Sequence, residues 1–115
     1  EILKNGSQIS FDFSGENYKL FVENKNSKEE FLSKGSKLIL SNGKKEQILT
    51  YLKNDCDDCG WSIYWVGDLD NDKKLDFYLD LSEHYNAVDK VLFLSSKAKK
   101  SKLVKAVGHL LTVGC

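Results

Sequence analysis

Apolar and polar residues alternate with a period of two along much of the chain, which is the pattern of a β-strand with one buried face. Short runs of this kind, together with a few continuously apolar ones, predict strands at residues 9–13, 18–22, 38–40, 47–52, 61–66, 75–81 and 91–94. Turn-forming residues separate most of these runs. The pattern therefore predicts a mainly β, antiparallel, sandwich-like single domain over residues 1–115 with little helix.

The connections carry their own signals. Asn42-Gly43 lies between two apolar runs and predicts a hairpin, because both residue types tolerate a positive φ. A second turn is predicted over residues 14–17, and a short helical turn fits the sequence around residues 31–32. The end of the chain fits either a helix or a strand, and its glycines and β-branched residues favour the strand.

The alternation also predicts which way side chains point in two of the strands. The expected arrangement is Leu75, Phe77, Leu79 and Leu81 inward with Asp76, Tyr78 and Asp80 outward, and Trp61, Ile63 and Trp65 on one face with Tyr64 and Val66 on the other.

Composition narrows the class of protein. Of the 115 residues, 41% are hydrophobic and 30% are charged, which is typical of a folded domain. No apolar run approaches the roughly 20 residues of a membrane-spanning helix. The net charge is zero and the basic residues are all lysine, which argues against a general nucleic-acid binder because base and phosphate contacts depend heavily on arginine. The chain begins at Glu1 and contains no methionine, so we expect it to be the mature or truncated part of a longer product.

The cysteines leave three alternatives open. Cys56 and Cys59 form a C-x-x-C pair, and Cys115 is the third cysteine. A zinc site would need a second pair of soft ligands, and only Cys115, His84 and His109 remain. A redox dithiol is disfavoured because a strand-like segment, not a helix, follows the pair. A disulfide is therefore favoured over free thiols and over a metal or redox site, and it joins either Cys56 to Cys59 or one of them to Cys115. A disulfide would indicate an oxidising compartment, so we expect a periplasmic or secreted protein, with a lipid anchor at a missing N-terminus as one form of this.

An acidic segment lies between the predicted strands at 61–66 and 75–81. Carboxylates fall at its relative positions 1, 3, 5 and 9, and the backbone carbonyl of position 7 is available as well. These residues are Asp68, Asp70, Asp72, Asp76 and, at position 7, Lys74. A looping backbone turns alternate residues towards one centre, and an oxygen-only cage of this kind suits Ca²⁺ better than Mg²⁺, which prefers a tight octahedron. The alternative is a solvated acidic turn that binds no metal.

The segment Asp68-Leu-Asp-Asn-Asp-Lys-Lys-Leu-Asp76 resembles the D-x-D-x-D-G-x-x-D loop of FG-GAP/VCBS-type repeats, including the integrin alpha-chain propeller, where a strand also follows the loop. Trp65-Val-Gly-Asp-Leu-Asp, His84-Tyr-Asn and Thr112-Val-Gly-Cys115 are similar to segments of uncharacterised secreted bacterial proteins with a single such motif. The resemblance covers residues 61–95 and implies Ca²⁺ as the cofactor, with Asp68, Asp70, Asp72, the Lys74 carbonyl and Asp76 as its ligands.

The loop departs from that pattern at two positions. Lys73 stands where the pattern has glycine, at a position that normally takes a positive φ. Leu79 stands at position 12, where an EF-hand has a bidentate glutamate, so we expect a weaker calcium affinity.

Charge is distributed unevenly. Residues 55–83 contain nine acidic residues and two lysines, a net charge of −7, and the rest of the chain carries +7. The densest basic stretch comprises Lys97, Lys99, Lys100, Lys102 and Lys105. It is either a solvated loop, which we favour, or a patch for an acidic partner such as a polyanionic glycan, an anionic lipid or an acidic protein.

The sequence gives weaker evidence for a catalytic site or a sugar-binding face. Asp80, Ser82 and His84 contain the residue types of a hydrolase, but they lie too close together in sequence to converge easily. Trp61, Tyr64 and Trp65 fit a core better than a sugar-stacking face.

We therefore expect a calcium-binding β domain that acts as a protein- or glycan-binding module, monomeric and not an enzyme. The alternatives are an inhibitor or immunity protein that blocks a secreted enzyme, and a small hydrolase.

Overall fold

A computed structural model describes residues 2–25, 30–53, 60–69, 71–81, 87–99 and 102–113. Within these residues the chain is all β, and the strand at its end is the one that the sequence favours. The strands are β1 (Ile2–Leu3), β2 (Gln8–Phe13), β3 (Glu16–Glu23), β4 (Lys37–Ser41), β5 (Glu46–Tyr51), β6 (Trp61–Gly67), β7 (Asp76–Asp80), β8 (Ala87–Leu94) and β9 (Lys105–Val113).

The strands form two antiparallel sheets. The larger sheet has the order β1-β6-β7-β8-β9, and the smaller sheet has the order β2-β3-β4-β5. Except for β1, which pairs with β6, neighbouring strands in each sheet follow one another in the chain, so short connections are enough to join them. The predicted mainly β, antiparallel fold is confirmed.

Both predicted turns form. Ser14 and Gly15 take φ values of +52° and +81°, so a two-residue turn of the type that matches strand twist joins β2 to β3. In the connection from β4 to β5, Gly43 has a φ of +90°. The Asn42 side chain accepts hydrogen bonds from the backbone N–H groups of Lys44 and Lys45, which fixes this hairpin.

One hydrophobic core lies between the sheets. The smaller sheet contributes Leu20 and Leu40, and the larger sheet contributes Trp61 and Phe77, all fully buried. The rings of Phe11 and Phe77 meet edge to face across the gap, with centroids 6.0 Å apart. The predicted inward residues of the strand at 75–81 are all in this core, namely Leu75, Phe77, Leu79 and Leu81.

Three of the described strand pairs contain a β-bulge, in which one strand has an extra residue with no partner on the other strand. The extra residues are Leu49 in β5, Tyr64 in β6 and Val107 in β9. The bulge at Tyr64 explains why the predicted face of Trp65 is wrong. A bulge inverts the alternation beyond it, so Val66 packs against the core and Trp65 points outward, 41% exposed. Its indole lies over Gly67, where a Cβ would come within 2.6 Å of the ring.

Residues 30–36 form bends and turns, and no helix occurs in the described part of the chain, so the helical turn at 31–32 is not formed. The described residues accordingly include no helix of the length and apolar character needed to cross a membrane.

Gln47 on β5 links the two sheets. Its side-chain carbonyl accepts hydrogen bonds from the backbone N–H groups of Leu103 and Val104, at 2.9 and 3.0 Å, and its amide donates to the Val104 carbonyl at 2.9 Å. These contacts fix the segment that leads into β9 against the edge of the smaller sheet.

We expect Gln47→Ala to lower the free energy of unfolding by about 2 kcal/mol, because three half-buried hydrogen bonds are lost at once. Urea denaturation followed by circular dichroism measures the change. Glu46→Ala, at the exposed neighbouring position of the same strand, is the control and should cost less than about 0.5 kcal/mol. Equal losses in the two variants would contradict the role assigned to Gln47.

Candidate metal centre

The acidic loop joins β6 to β7, two neighbouring strands in the middle of the larger sheet. Its backbone turns sharply, since Asn71 and Lys73 take φ values of +60° and +63°. The strands on either side are held by the sheet, so the two ends of the loop are fixed in position.

Asp68 organises the near side of the loop. Its carboxylate oxygens accept hydrogen bonds from the backbone N–H groups of Asp72, at 3.1 Å, and Lys73, at 2.8 Å. Asp72 in turn accepts from the backbone N–H of Lys74 at 3.0 Å. These bonds wrap the backbone around the carboxylates and orient them towards the interior of the loop.

Asp76 lies at the start of β7 and is completely buried. The alternation predicts that Asp76 and Asp80 point outward, away from Leu75, Phe77 and Leu79, but both carboxylates are buried. Asp80 is also buried and accepts a hydrogen bond from the backbone N–H of Asp89. Both buried carboxylates accept hydrogen bonds from backbone N–H groups, Asp76 from Leu69 and Ser95 and Asp80 from Asp89.

Ser95 is the partner of Asp76 that the sequence does not reveal. The Ser95 backbone N–H donates to Asp76 Oδ1 at 2.8 Å, and the Ser95 hydroxyl lies 2.9 Å from the same oxygen and 2.7 Å from Asp72 Oδ2. The other oxygen, Asp76 Oδ2, accepts from the backbone N–H of Leu69 at 2.8 Å. Asp76 thus ties the loop to the end of β8.

Carboxylate oxygens of Asp68, Asp72 and Asp76 lie within 4.8 Å of one another. Each carboxylate has about four lone-pair sites, so an oxygen that accepts an N–H bond can also face a cation. Among the described residues, no lysine forms an ion pair with Asp68 or Asp76. Three converging negative charges with hard oxygen donors form a group that can hold a metal ion.

The structure therefore brings together three of the five predicted ligands. Lys74 lies in the same loop with its side chain exposed. Asp70 lies outside the described residues, as do Cys56, Cys59 and Cys115 and, from the hydrolase alternative, Ser82 and His84.

Lys73 has the positive φ that its position in the loop predicts. A left-handed backbone costs a residue with a side chain about 1–2 kcal/mol relative to glycine. We expect Lys73→Gly to raise the free energy of unfolding by about 0.5–1 kcal/mol, part of the gain being offset by the greater flexibility of glycine in the unfolded chain.

Lys74→Gly is the matched control for this change, because it removes the same charge from the next residue, where φ is not positive. It should lower stability by about 0.5–1 kcal/mol. Thermal unfolding of the two variants compares them, and stabilisation by both would point to the lost charge and not to the backbone.

Comparison with known proteins adds no family to this description. No protein-family model, no curated protein and no solved structure matches the chain.

Proposed function

We propose that this chain is an extracytoplasmic binding module in which a single Ca²⁺ ion holds the loop between β6 and β7. The observation that supports this most strongly is the convergence of carboxylate oxygens from Asp68, Asp72 and Asp76 within 4.8 Å of one another. In this proposal the Asp70 side chain and the Lys74 carbonyl complete the ligand set, and the FG-GAP-like spacing of the loop agrees with that assignment.

The chemistry of the donors favours Ca²⁺ over other metals. The three carboxylates are hard oxygen ligands, and Ca²⁺ accepts six to eight such ligands in flexible geometries. Zinc and copper prefer imidazole or thiolate, neither of which belongs to this group of residues. Mg²⁺ binds less well to a loop of this kind, because it holds its waters and requires near-ideal octahedral angles.

The ion has a structural role in this proposal. Its ligands come from both ends of the loop, and one of them, Asp76, is hydrogen-bonded to Ser95 at the end of β8. Bound Ca²⁺ would neutralise the mutual repulsion of the carboxylates and connect the loop, β7 and the chain after β8. The surface near the loop would then be rigid enough to bind a partner at low entropic cost.

Calcium titration tests the proposal. At about 100 times the dissociation constant, a ligand that binds only the folded state adds roughly 2.7 kcal/mol to stability. For a domain of this size we expect the melting temperature to rise by about 10 °C in excess CaCl₂ and to be nearly unchanged in MgCl₂. Isothermal titration should show one saturable binding event.

Asp68→Asn should abolish both the heat and the rise in melting temperature, because one carboxylate of the group is removed. Glu46→Gln, which removes an exposed charge from β5, should leave both unchanged. Absence of heat together with an unchanged melting temperature in excess Ca²⁺ would refute the proposal.

A further inference from the structure

A cleft of about 490 Å³ lies beside the acidic loop that joins β6 to β7. Its wall on one side is formed by Lys74 and Leu75 from the loop and by Ser95, which also hydrogen-bonds the loop carboxylates. The lining also includes residues of the smaller sheet at and beside the β2–β3 and β4–β5 hairpins, namely Glu16, Tyr18, Asn42 and Lys45. A volume of this size accommodates a small ligand of one or two sugar rings.

Lysines from three separate parts of the chain line this cleft. Lys45 comes from the β4–β5 hairpin and Lys74 from the acidic loop. Lys99 and Lys102 come from the connection between β8 and β9. Of the described residues that line the cleft, Glu16 is the acidic one. Among the described residues, Lys74, Lys99 and Lys102 form no ion pair, so the cleft carries an excess of positive charge that an anionic ligand would neutralise.

The lining of the cleft also contains polar groups other than lysine. The Tyr18 hydroxyl remains protonated over a wide pH range, because burial and its hydrogen bond to Glu16 raise the pKa of Tyr18 to about 12. The Glu16 carboxylate, the Asn42 side chain and the Ser95 hydroxyl are further polar groups on the walls. Leu75, Ala98 and Leu103 give the lining an apolar part, which suits the C–H face of a sugar ring.

We propose that this cleft binds an acidic saccharide whose sulfate or carboxylate groups pair with Lys45, Lys74, Lys99 and Lys102. This inference names a class of ligand for the binding module proposed above. It rests on the proposed function in one respect, since bound Ca²⁺ would order the loop that carries Lys74. Of the basic stretch at 97–105, the cleft uses Lys99 and Lys102, whereas Lys97 and Lys105 are exposed outside its lining.

Isothermal titration with a disulfated, uronate-containing disaccharide tests the inference, in buffer with CaCl₂ and again in buffer with EDTA. The comparison ligands are the same disaccharide without sulfate, and inorganic sulfate. We expect saturable binding of the sulfated disaccharide that weakens as salt is added, and at least tenfold weaker binding of the other two.

The Lys99→Gln/Lys102→Gln double variant should bind the sulfated disaccharide about tenfold more weakly, since two charged contacts are lost. Lys25→Gln/Lys37→Gln removes the same charge from exposed positions outside the cleft and should bind like the unaltered protein. Melting temperatures of both variants confirm that they fold.

Absence of binding, or equal weakening in the two double variants, would overturn the inference. Binding of inorganic sulfate as tightly as the disaccharide would also overturn it, because the cleft would then recognise only a small oxyanion. If calcium titration gives a heat of binding but the saccharide does not bind, this inference alone is refuted. If the saccharide binds but calcium titration gives no heat of binding, the calcium proposal alone is refuted.

Discussion

Asp76→Asn is expected to lower the free energy of unfolding by about 4 kcal/mol in excess CaCl₂, but by only about 1–2 kcal/mol in EDTA. Asp76 is fully buried, and its two oxygens accept hydrogen bonds from Ser95 and Leu69. Asparagine keeps one acceptor oxygen and places an amide against N–H donors, which leaves buried groups unsatisfied. If Ca²⁺ binds as proposed above, the variant also loses in excess CaCl₂ the roughly 2.7 kcal/mol that a ligand contributes at 100 times its dissociation constant.

In EDTA a second effect opposes the loss. The asparagine carries no charge, so repulsion with Asp68 and Asp72 is relieved, and two charges near 5 Å apart interact by about 3 kcal/mol at an effective dielectric constant of 20. Because Asp68 and Asp72 are only half-buried, solvent reduces this figure, and the net change in EDTA remains a modest destabilisation.

Asp80→Asn is the matched control for Asp76→Asn. Asp80 lies on the same strand and the same face, is buried, and accepts a backbone hydrogen bond, but it is not one of the three converging carboxylates. Its substitution should cost the same amount with and without calcium. Urea denaturation in both buffers measures all four values, and a calcium-independent cost for Asp76→Asn would show that this residue acts only as a hydrogen-bond acceptor.

Phe77→Ala is expected to lower the free energy of unfolding by about 3–5 kcal/mol. Phe77 lies on β7, the central strand of the larger sheet, is fully buried, and packs edge to face on Phe11 of the smaller sheet. The substitution leaves a cavity at the contact between the sheets, and the rigid strands on either side can collapse into it only in part. We expect the melting temperature to fall by about 12–20 °C.

Tyr78→Ala, one residue further along β7, is the control for this cavity. Its side chain faces away from the core and is half-buried beside Tyr64, so its removal should cost about 1 kcal/mol. If Phe77→Ala does not fold, Phe77→Leu should still fold with a loss of about 1–1.5 kcal/mol. A cost for Tyr78→Ala as large as that for Phe77→Ala would contradict the placement of the core.

Much of the fold could be predicted because alternation marks each strand by local sequence alone. Leu75, Phe77 and Leu79 are buried as their spacing predicts, and Ser14-Gly15 and Asn42-Gly43 form turns as their residue types predict. The predicted face of Trp65 is wrong because a bulge depends on pairing with the neighbouring strand, which local sequence does not reveal. The two-residue strand β1 is too short to show any period.

In the candidate site, too, local features can be predicted from the sequence, whereas contacts between distant segments cannot. The spacing of Asp68, Asp72 and Asp76 within one short loop is a local property, and so is the positive φ at Lys73. The role of Ser95 depends on the register of β7 and β8, which pairs Phe77 with Phe93 and thereby brings Ser95 next to Asp76. Gln47 is likewise invisible in the sequence, because its partners lie more than 50 residues away.

Two of the three extra residues described above, Leu49 and Val107, belong to terminal strands, and Tyr64 belongs to a strand that its outer neighbour covers only in part. β5 and β9 are terminal strands, and β6 is covered by β1 only at Trp61 and Ser62. An incoming chain would have to continue the hydrogen-bonding ladder past an irregular step at each of these strands. The bulges should therefore hinder strand addition at β5, β6 and β9, the route by which β proteins polymerise into fibrils.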